Sequence, residues 1–317
     1  MTTLPEPSGL PLPQPTGQHS VRLADGVRLH VESYGPRRAP ITVVFLHGWT
    51  LDRRIWHRQI TALTRQAGGP RVVAYDARGH GRSSATHRLA ATLPQLGDDL
   101  AAVLAHVEGP VVLVGHSLGG MTIMEYAAAH AAAFAARVRG VVMVSTTAEG
   151  HTHTGYGLPH PLSRIVRVLE LSGSYVMARC GDVRPHRPLM AAIRPAIRWL
   201  MFGERCDNDD LQLTCAAVAG SSLRSIGGFR ESAGTQQRLE TLRGLPHLPS
   251  AVLVGEQDRI TPLPCAQGIA DALGGDAGLH VCADAGHMLM LERPTEVTAA
   301  VAGVLAAAGS RRLRRAA

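Results

Sequence analysis

Short apolar runs recur along the chain and predict the strands of a sheet. Six nearly continuous runs are separated by longer segments: Ile41–Leu46, Val72–Tyr75, Val111–Val114, Val141–Val144, Ala251–Val254 and Leu279–Cys282. Strands that are apolar on both faces are typical of parallel sheets covered by helices. The stretches Gln95–Val107, Leu118–Val138 and Pro264–Leu273 have suitable lengths for crossover helices. We therefore predict an α/β fold with a mostly parallel sheet and helices on both faces.

A different pattern near the N-terminus predicts an antiparallel hairpin that enters this sheet. Apolar and polar residues alternate before Asp25-Gly26 and alternate again over Val27–Val31. An Asp-Gly pair between two alternating runs is a strong signal for a two-residue hairpin turn. The hairpin should precede the parallel strands.

The alternation of strands and helices stops between Val144 and Ala251. That segment is rich in Arg, Gly and Pro and contains several amphipathic stretches. We predict a helical cap there, inserted into an α/β core. The predicted division is a flexible Pro-rich tail over 1–18, the core over 19–147 and 244–308, the cap over 148–243 and an Arg-rich tail over 309–317.

Composition places the chain among globular proteins and argues against a nucleic-acid partner. Of its 317 residues 45% are hydrophobic and 18% are charged, which excludes a disordered or coiled-coil chain. Arginine supplies every basic side chain, and the formal net charge is +7. Most of that excess lies in the C-terminal tail and one internal segment, without a compact basic patch that includes aromatic residues.

The sequence also predicts a cytoplasmic protein without membrane insertion. The Pro-rich N-terminus does not have the pattern of a secretory signal, and no apolar run approaches the ~18 residues of a membrane span. The five cysteines are odd in number and form no CxxC pair, which favours reduced thiols. The oligomeric state cannot be inferred from these features.

A candidate nucleophile lies between a predicted strand and a predicted helix. Gly115–Gly119 matches the pattern G-x-S-x-G directly after Val111–Val114. A tight turn there presents the hydroxyl of Ser117 at the carboxyl edge of the sheet, where ligands of open α/β sheets bind. A serine hydroxyl is a poor nucleophile at neutral pH and needs a base that is held by an acid.

Candidates for that base and acid follow in the expected chain order. Asp258 and His287 lie on loops after the two last predicted strands, at the same edge as Ser117. We predict that Asp258 orients His287, which accepts the proton of Ser117. Glu256, nearer its strand end, and Asp284, only three residues before His287, remain weaker candidates for the acid.

Two backbone amides are predicted to stabilise an oxyanion. One belongs to Leu118, directly after the nucleophile. The other lies in the loop after the first core strand, where Gly48 permits close approach; Trp49 is the favoured donor and Thr50 the second choice. Four neighbouring residues are predicted to contact the substrate: His47, Gly48, His116 and Met288.

Together these motifs resemble the α/β-hydrolase superfamily, in its branch of small esterases, lipases and non-haem perhydrolases. The matching segments cover about 20–145 and 245–308: Phe45–Trp49, Asp76–Ser83, Gly115–Gly120, Gly255–Asp258 and Gly286–Pro294. The resemblance implies the same triad of Ser117, Asp258 and His287 and the same oxyanion amides. It also implies that Asp76, Arg78 and His80 shape a loop and are not catalytic.

The predicted function is a serine hydrolase that cleaves a carboxylic ester without metal or cofactor. Relatives with an aspartate nucleophile are excluded by Ser117, and Leu118 stands where proline iminopeptidases usually have Trp. Carbon–carbon hydrolases usually have Asn in place of His116 and Trp in place of Met288. A thioesterase or acyltransferase, a carbon–carbon hydrolase and a non-catalytic small-molecule-binding protein remain alternatives.

The cap segment is expected to select the substrate, a hydrophobic small-molecule acyl compound. Ser163–Arg198 contains seven arginines and only two acidic residues, which indicates either an acidic substrate group or a solvated helix face. Six apolar residues between Leu189 and Met201 recur at helical spacing and are expected mainly to pack, with an acyl pocket or lipid contact as alternatives. We do not expect His151, His153 and His160 to bind a metal.

Overall fold

Eight strands form one sheet in the computed structural model, which describes residues 12–65, 68–274 and 277–316. The strands are β1 (Gly17–Arg22), β2 (Arg28–Tyr34), β3 (Thr42–Leu46), β4 (Arg71–Tyr75), β5 (Val111–His116), β6 (Val138–Val144), β7 (Ser250–Gly255) and β8 (Ala277–Cys282). Their order across the sheet is β1-β2-β4-β3-β5-β6-β7-β8. β1 pairs antiparallel with β2 and β2 antiparallel with β4, whereas all later pairs are parallel. The predicted hairpin and mostly parallel sheet are confirmed.

Helices cover both faces of the sheet, as predicted. They are α1 (His57–Thr64), α2 (Leu93–Ala105), α3 (Leu118–Ala129), α4 (Ala131–Arg137), α5 (His160–Met177), α6 (Arg187–Met201), α7 (Asn208–Gly220), α8 (Leu223–Thr235), α9 (Leu239–Arg243), α10 (Leu263–Leu273), α11 (Leu289–Glu292) and α12 (Pro294–Ala316). Short 3-10 turns span Arg53–Trp56 and Arg88–Ala90. α2, α3 and α10 pack on one face, and α1, α11 and α12 pack on the other.

The core consists of two apolar layers separated by the sheet. Val44 and Leu46 of β3 point into the layer that contains α2 and α3, whereas Val43 and Phe45 point into the layer that contains α12. All four side chains are almost fully buried. This explains the continuous apolar runs, because successive residues of a strand face opposite sides and here both sides are covered.

The predicted cap segment contains five helices, α5 to α9, between β6 and β7. α5 packs on α8, whose Phe229 contacts Leu118 and Met121 of the core. Leu213 of α7 and Leu242 of α9 are buried in the two core layers. The segment is therefore anchored to the sheet on both of its faces. The boundaries of the cap at 148 and 243 stay a prediction.

The two predicted tails are only partly described. Residues 1–11 of the N-terminal tail lie outside the described residues, and β1 already begins at Gly17. At the other end α12 continues to Ala316, through most of the predicted Arg-rich tail. Within the described ranges, no helix is long and apolar enough to span a bilayer. All five cysteines are free thiols, as the sequence predicts.

Candidate active site

Ser117 occupies a strained turn between β5 and α3. Its backbone has φ 51° and ψ −116°, a left-handed conformation that costs a residue with a side chain on the order of 1–3 kcal/mol. The surroundings hold it there: the Ser117 N–H donates to the Val144 carbonyl at 3.0 Å, and the Thr146 hydroxyl donates to the Ser117 carbonyl at 2.7 Å. The turn points the half-buried serine away from the strand and towards the cavity described below.

Two glycines flank Ser117 because backbones approach too closely there for a side chain. A Cβ on Gly119 would lie 2.4 Å from the carbonyl oxygen of Leu46, and a Cβ on Gly115 would lie 2.6 Å from the carbonyl carbon of Gly119. The G-x-S-x-G pattern is thus a packing requirement of the junction between β3, β5 and α3. It fixes the position of Ser117 relative to the sheet.

Asp258 follows β7, and both oxygens of its buried carboxylate accept hydrogen bonds. Its Oδ1 accepts from the N–H groups of Ile260 at 2.9 Å and Thr261 at 2.8 Å, and its Oδ2 accepts from the Thr261 hydroxyl at 2.9 Å. Burial acts to raise the pKa of Asp258, but His287 and these donors outweigh it and hold the pKa below its ordinary value. The group is therefore ionised at neutral pH.

His287 lies beside this carboxylate after β8. Its Nδ1 is 2.9 Å from Asp258 Oδ2 and 3.1 Å from Oδ1. Because a carboxylate can only accept, Nδ1 carries the proton and neutral His287 presents a lone pair on Nε2. The His287 N–H donates to the Met201 carbonyl at 2.9 Å, and the His287 carbonyl accepts from His116 Nε2 at 3.0 Å. The imidazole is thus held by Asp258, and the backbone of His287 is held by Met201 and His116.

The structure brings Asp258 and His287 into contact but leaves Ser117 separate. Among the described residues, Ser117 Oγ and His287 Nε2 form no hydrogen bond, although both residues line the same cavity. Such bonds are often long in ligand-free sites and shorten when a substrate binds. Glu256, the competing acid, is exposed and accepts from the Asp284 N–H at 3.4 Å, so neither alternative carboxylate contacts His287.

The oxyanion loop distinguishes between the two candidate amides. The Thr50 N–H donates to Nε2 of His80 at 3.2 Å and is therefore occupied, whereas the Trp49 N–H has no acceptor among the described residues. Leu118 begins α3, and the first N–H groups of a helix have no acceptor within it. Trp49 and Leu118 both line the cavity beside Ser117. The geometry favours the Trp49 amide over the Thr50 amide.

The four residues predicted to contact the substrate do not reach the cavity. His47, Gly48, His116 and Met288 are all buried behind its wall. His47 donates from Nδ1 to the Gly48 carbonyl at 2.8 Å and accepts the Ala77 N–H on Nε2 at 2.9 Å. Gly48 packs against His116, since a Cβ there would lie 2.5 Å from His116 Nδ1. These contacts hold the loop backbone, and contact of the four residues with a substrate stays a prediction.

The residues expected to shape a loop have that role. His80 donates from Nδ1 to the Arg78 carbonyl at 2.9 Å while its Nε2 holds Thr50. Asp76 accepts from the backbone N–H groups of Arg53 at 2.9 Å and Arg82 at 2.8 Å. Arg78 is fully buried and binds Asp99 with two hydrogen bonds of 2.6 Å. The Asp76–Ser83 motif therefore fixes the loop that contains Trp49.

Buried neutral histidines make the folded state sensitive to acid. Burial lowers the pKa of His57 to about 4, and burial with the neighbouring His47 lowers that of His80 to about 3. An unfolded histidine titrates near 6.5, so between these values the unfolded chain binds protons that the native chain does not. The two neutral histidines therefore contribute their full stabilisation of the folded state above pH 6.5. This contribution is lost as the pH falls from 6.5 towards the folded-state pKa values.

We expect the free energy of unfolding to be about 2–3 kcal/mol lower at pH 5.5 than at pH 7.5, from His57 and His80 together. Urea denaturation at the two pH values measures it. A His57→Gln variant, which cannot titrate at that position, should show a smaller difference. Equal unfolding free energies for the native chain at both pH values would contradict the argument.

Sequence reasoning missed two residues that position the triad. Thr261 follows Asp258 by three residues, and its hydroxyl lies 3.3 Å from His287 Nδ1 while it donates to the carboxylate. Glu292 accepts from the backbone N–H groups of Gly203 at 2.8 Å and Gly286 at 3.0 Å, which ties the histidine loop to the end of α6. Glu292 lies in the matching segment Gly286–Pro294 and Thr261 lies three residues after Gly255–Asp258, but spacing alone does not indicate these contacts.

A cavity of about 340 Å³ lies over Ser117 and His287. Most of its wall is aliphatic, and α6 contributes Ile193, Ile197, Leu200 and Met201. These belong to the apolar stripe that the sequence predicts to pack. The expectation was therefore incomplete, since Met201 packs into the core but the same face also encloses the cavity.

One side of the cavity is polar. Arg230, which is 1% exposed, donates from Nε and Nη2 to the two carboxylate oxygens of Glu170 at 2.5 and 2.6 Å. Tyr156 donates its hydroxyl to Glu170 and accepts from Arg230 Nη2 at 3.1 Å. His151 lies beside them and also lines the cavity. These four side chains are called the polar cluster below.

Arg198, Arg194 and Arg167, three of the seven arginines between 163 and 198, donate to uncharged groups. Arg198 donates to the carbonyls of Gly203 at 2.7 Å and Glu204 at 2.8 Å, and Arg194 donates to the Asn208 side chain at 2.5 Å. Arg167 donates to backbone carbonyls of the loop before α5. None of these three lines the cavity. They do not form the acid-binding patch that their number suggests.

The histidines of the loop before α5 do not form a metal site. His153 lies 3.2 Å from Glu149, whereas burial and the Arg230 guanidinium lower the pKa of His151 to about 4. Across the described ranges, no three His, Cys, Asp or Glu side chains are grouped to hold a metal ion.

Comparison with known proteins assigns the chain to a family. A bifunctional esterase/perhydrolase of Acinetobacter calcoaceticus is 40% identical over 110 residues, 34% of this chain and 38% of that protein. The chain thus spans about two fifths of the length of such curated relatives. The 3-oxoadipate enol-lactonase 1 of Acinetobacter baylyi is 24% identical over 87% of this chain and 93% of its own length.

The fold similarity extends over nearly the whole chain. A thermophilic esterase from Thermogutta terrifontis has a TM-score of 0.72 at 22% identity, covering 92% of this chain and 99% of that one. The model of the alpha/beta hydrolase family matches residues 43–301, which include the strands from β3 to β8 and every candidate triad residue. The chain therefore belongs to the alpha/beta hydrolase family.

Proposed function

We propose that the protein is a serine hydrolase that cleaves a carboxylic ester through an acyl-enzyme on Ser117. The observation that supports this most strongly is the coincidence of three features in one cavity. Ser117 stands in a strained turn, His287 presents a free Nε2, and buried Asp258 holds the opposite nitrogen of His287. A serine activated by a held imidazole is the arrangement that acyl transfer needs.

The first half of the reaction forms the acyl-enzyme. Ser117 Oγ attacks the ester carbonyl carbon while its proton passes to His287 Nε2, and the carbonyl oxygen becomes an oxyanion. The N–H groups of Trp49 and Leu118 donate to that oxyanion. When the carbon–oxygen bond to the alcohol breaks, His287 returns the proton to the leaving alkoxide. Asp258 stabilises the imidazolium that exists between these two steps.

The second half repeats the sequence with water. A water molecule attacks the acyl carbon and gives its proton to His287 Nε2, and the Ser117 oxygen leaves and regains that proton. The carboxylic acid product then departs. The cavity of about 340 Å³ and its aliphatic wall suit a small hydrophobic substrate.

A matched panel of substrates tests the choice of ester. We would measure kcat/KM for a phenyl ester, a thioester and a 1,3-diketone that carry the same butanoyl group. Each kcat/KM value would then be divided by the rate constant of the uncatalysed reaction of the same compound. We expect the ester to give the largest ratio, because the site needs only a nucleophile, a base and an oxyanion hole. A larger ratio for the thioester or the diketone would reassign the reaction to thioester or carbon–carbon bond cleavage.

A further inference from the structure

The polar cluster contains two buried nitrogens that have no hydrogen-bond partner among the described residues. They are Arg230 Nη1 and His151 Nε2, and both belong to side chains that line the cavity. A buried donor that is left unpaired costs about 1–3 kcal/mol, so native structures rarely tolerate one without a purpose. Here two occur close together, on side chains that line the same wall.

The local backbone brings these nitrogens together. Gly234 lies near the end of α8, and a Cβ on it would lie 2.6 Å from His151 Nε2 and 3.2 Å from Arg230 Nη1. The missing side chain therefore lets the His151 ring approach α8 beside the guanidinium. Any residue other than glycine would separate the two groups.

The charge of the cluster determines which ligand it suits. The Arg230 guanidinium is balanced by the Glu170 carboxylate, which takes two of its hydrogen bonds. Burial together with Glu170 raises the pKa of Tyr156 to about 12, and the pKa of His151 is lowered to about 4, so both are neutral near pH 7. The cluster has no net charge, and a buried carboxylate ligand would add an uncompensated charge.

We infer that Arg230 and His151 form a binding subsite for an uncharged oxygen acceptor, a ketone, ether or hydroxyl group, on the chain of an ester that occupies the cavity. This inference rests on the proposed esterase function and names its substrate class. A ketone oxygen can accept from Arg230 Nη1 and from His151 Nε2 together, because neutral histidine can carry its proton on either nitrogen. The aliphatic wall holds the rest of the chain.

The test uses two series of p-nitrophenyl and alkyl esters in which one methylene of an unbranched chain is replaced by a carbonyl group. The carbonyl is moved one position at a time along the acyl chain in the first series and along the alcohol chain in the second. At one position we expect kcat/KM to exceed that of the plain chain by about tenfold or more, because the site otherwise keeps buried polar groups unpaired. An ester with a carboxylate at that position should be poorer than the ketone.

Two variants assign the preference to the subsite. His151→Phe keeps an aromatic ring and removes both nitrogens, and Arg230→Met combined with Glu170→Gln removes the ion pair as a unit. Each should bring the ketone and plain esters to nearly equal kcat/KM. A native protein that treats both kinds of ester alike at every position overturns the subsite, as does a preference for the carboxylate or one that survives in His151→Phe.

Labelling of Ser117 separates this failure from failure of the proposed function. If a fluorophosphonate modifies Ser117 and plain esters are hydrolysed without any ketone preference, only the subsite is wrong. If Ser117 is not modified and no ester is hydrolysed, the esterase assignment is wrong and the subsite falls with it.

Discussion

Replacing Ser117 by alanine should lower kcat/KM for ester hydrolysis by about 10⁴-fold or more. In the proposed reaction only Ser117 bonds covalently to the substrate, so the variant keeps the cavity and the oxyanion amides but cannot form an acyl-enzyme. The fold should tolerate the change, because alanine replaces a side chain whose Oγ makes no hydrogen bond within the described residues. Steady-state hydrolysis of a short p-nitrophenyl ester measures the loss.

A second serine provides the matched control. Ser145 follows β6, also has a positive φ of 44°, and is fully buried with no partner for its hydroxyl among the described residues. Ser145→Ala should therefore retain near-native kcat/KM. Comparable activity in the native chain and in Ser117→Ala would mean that another group attacks the ester.

Replacing Asp258 by asparagine should lower kcat by about 10⁴-fold. The carboxylate accepts a hydrogen bond from His287 Nδ1, and an asparagine amide can instead donate to that nitrogen. His287 would then carry its proton on Nε2 and could not accept the one from Ser117. The loss should appear in kcat with the substrate still bound, because Asp258 does not line the cavity.

Glu256→Gln serves as the control for Asp258. Glu256 lies two residues earlier in the same loop, but it is exposed and does not contact His287. Its kcat should stay close to the native value. If Glu256→Gln loses activity while Asp258→Asn keeps it, the acid of the triad has been assigned to the wrong loop residue.

The sequence predicted the sheet and placed the candidate site residues at its edge because both have short-range signals. Strands buried on both faces must be continuously apolar, as β3 and β5 are, and a serine between glycines marks the tight junction with α3. The order of the candidate residues along the chain, and their positions after the two last predicted strands, were enough to place Asp258 and His287 on neighbouring loops. The contact between them follows from the parallel pairing of β7 and β8.

The contacts that depend on distant packing could not be predicted in this way. Whether Trp49 or Thr50 supplies the oxyanion amide depends on His80, thirty residues away, which engages the Thr50 N–H. For the same reason the sequence could not show that His47 and His116 direct ring nitrogens at the loop backbone and do not line the cavity. Local sequence does not show which side of a loop a ring faces.

The number of arginines in a segment also did not predict which arginine lines the cavity. Arg198 and Arg194, two of the arginines counted between 163 and 198, donate to carbonyls and to Asn208, whereas the guanidinium that lines the cavity belongs to Arg230, outside that segment. Arg230 on α8 binds Glu170 on α5, sixty residues earlier in the chain. Such pairs form only when α5 packs on α8.

The central claim, an activated serine at position 117, is tested most directly by covalent labelling. The native chain and Ser117→Ala would be treated with a fluorophosphonate and examined by intact mass and peptide mapping. We expect one adduct on the native chain, located on Ser117, and none on the variant. An unlabelled, well-folded native chain, or an adduct on both proteins, would contradict it.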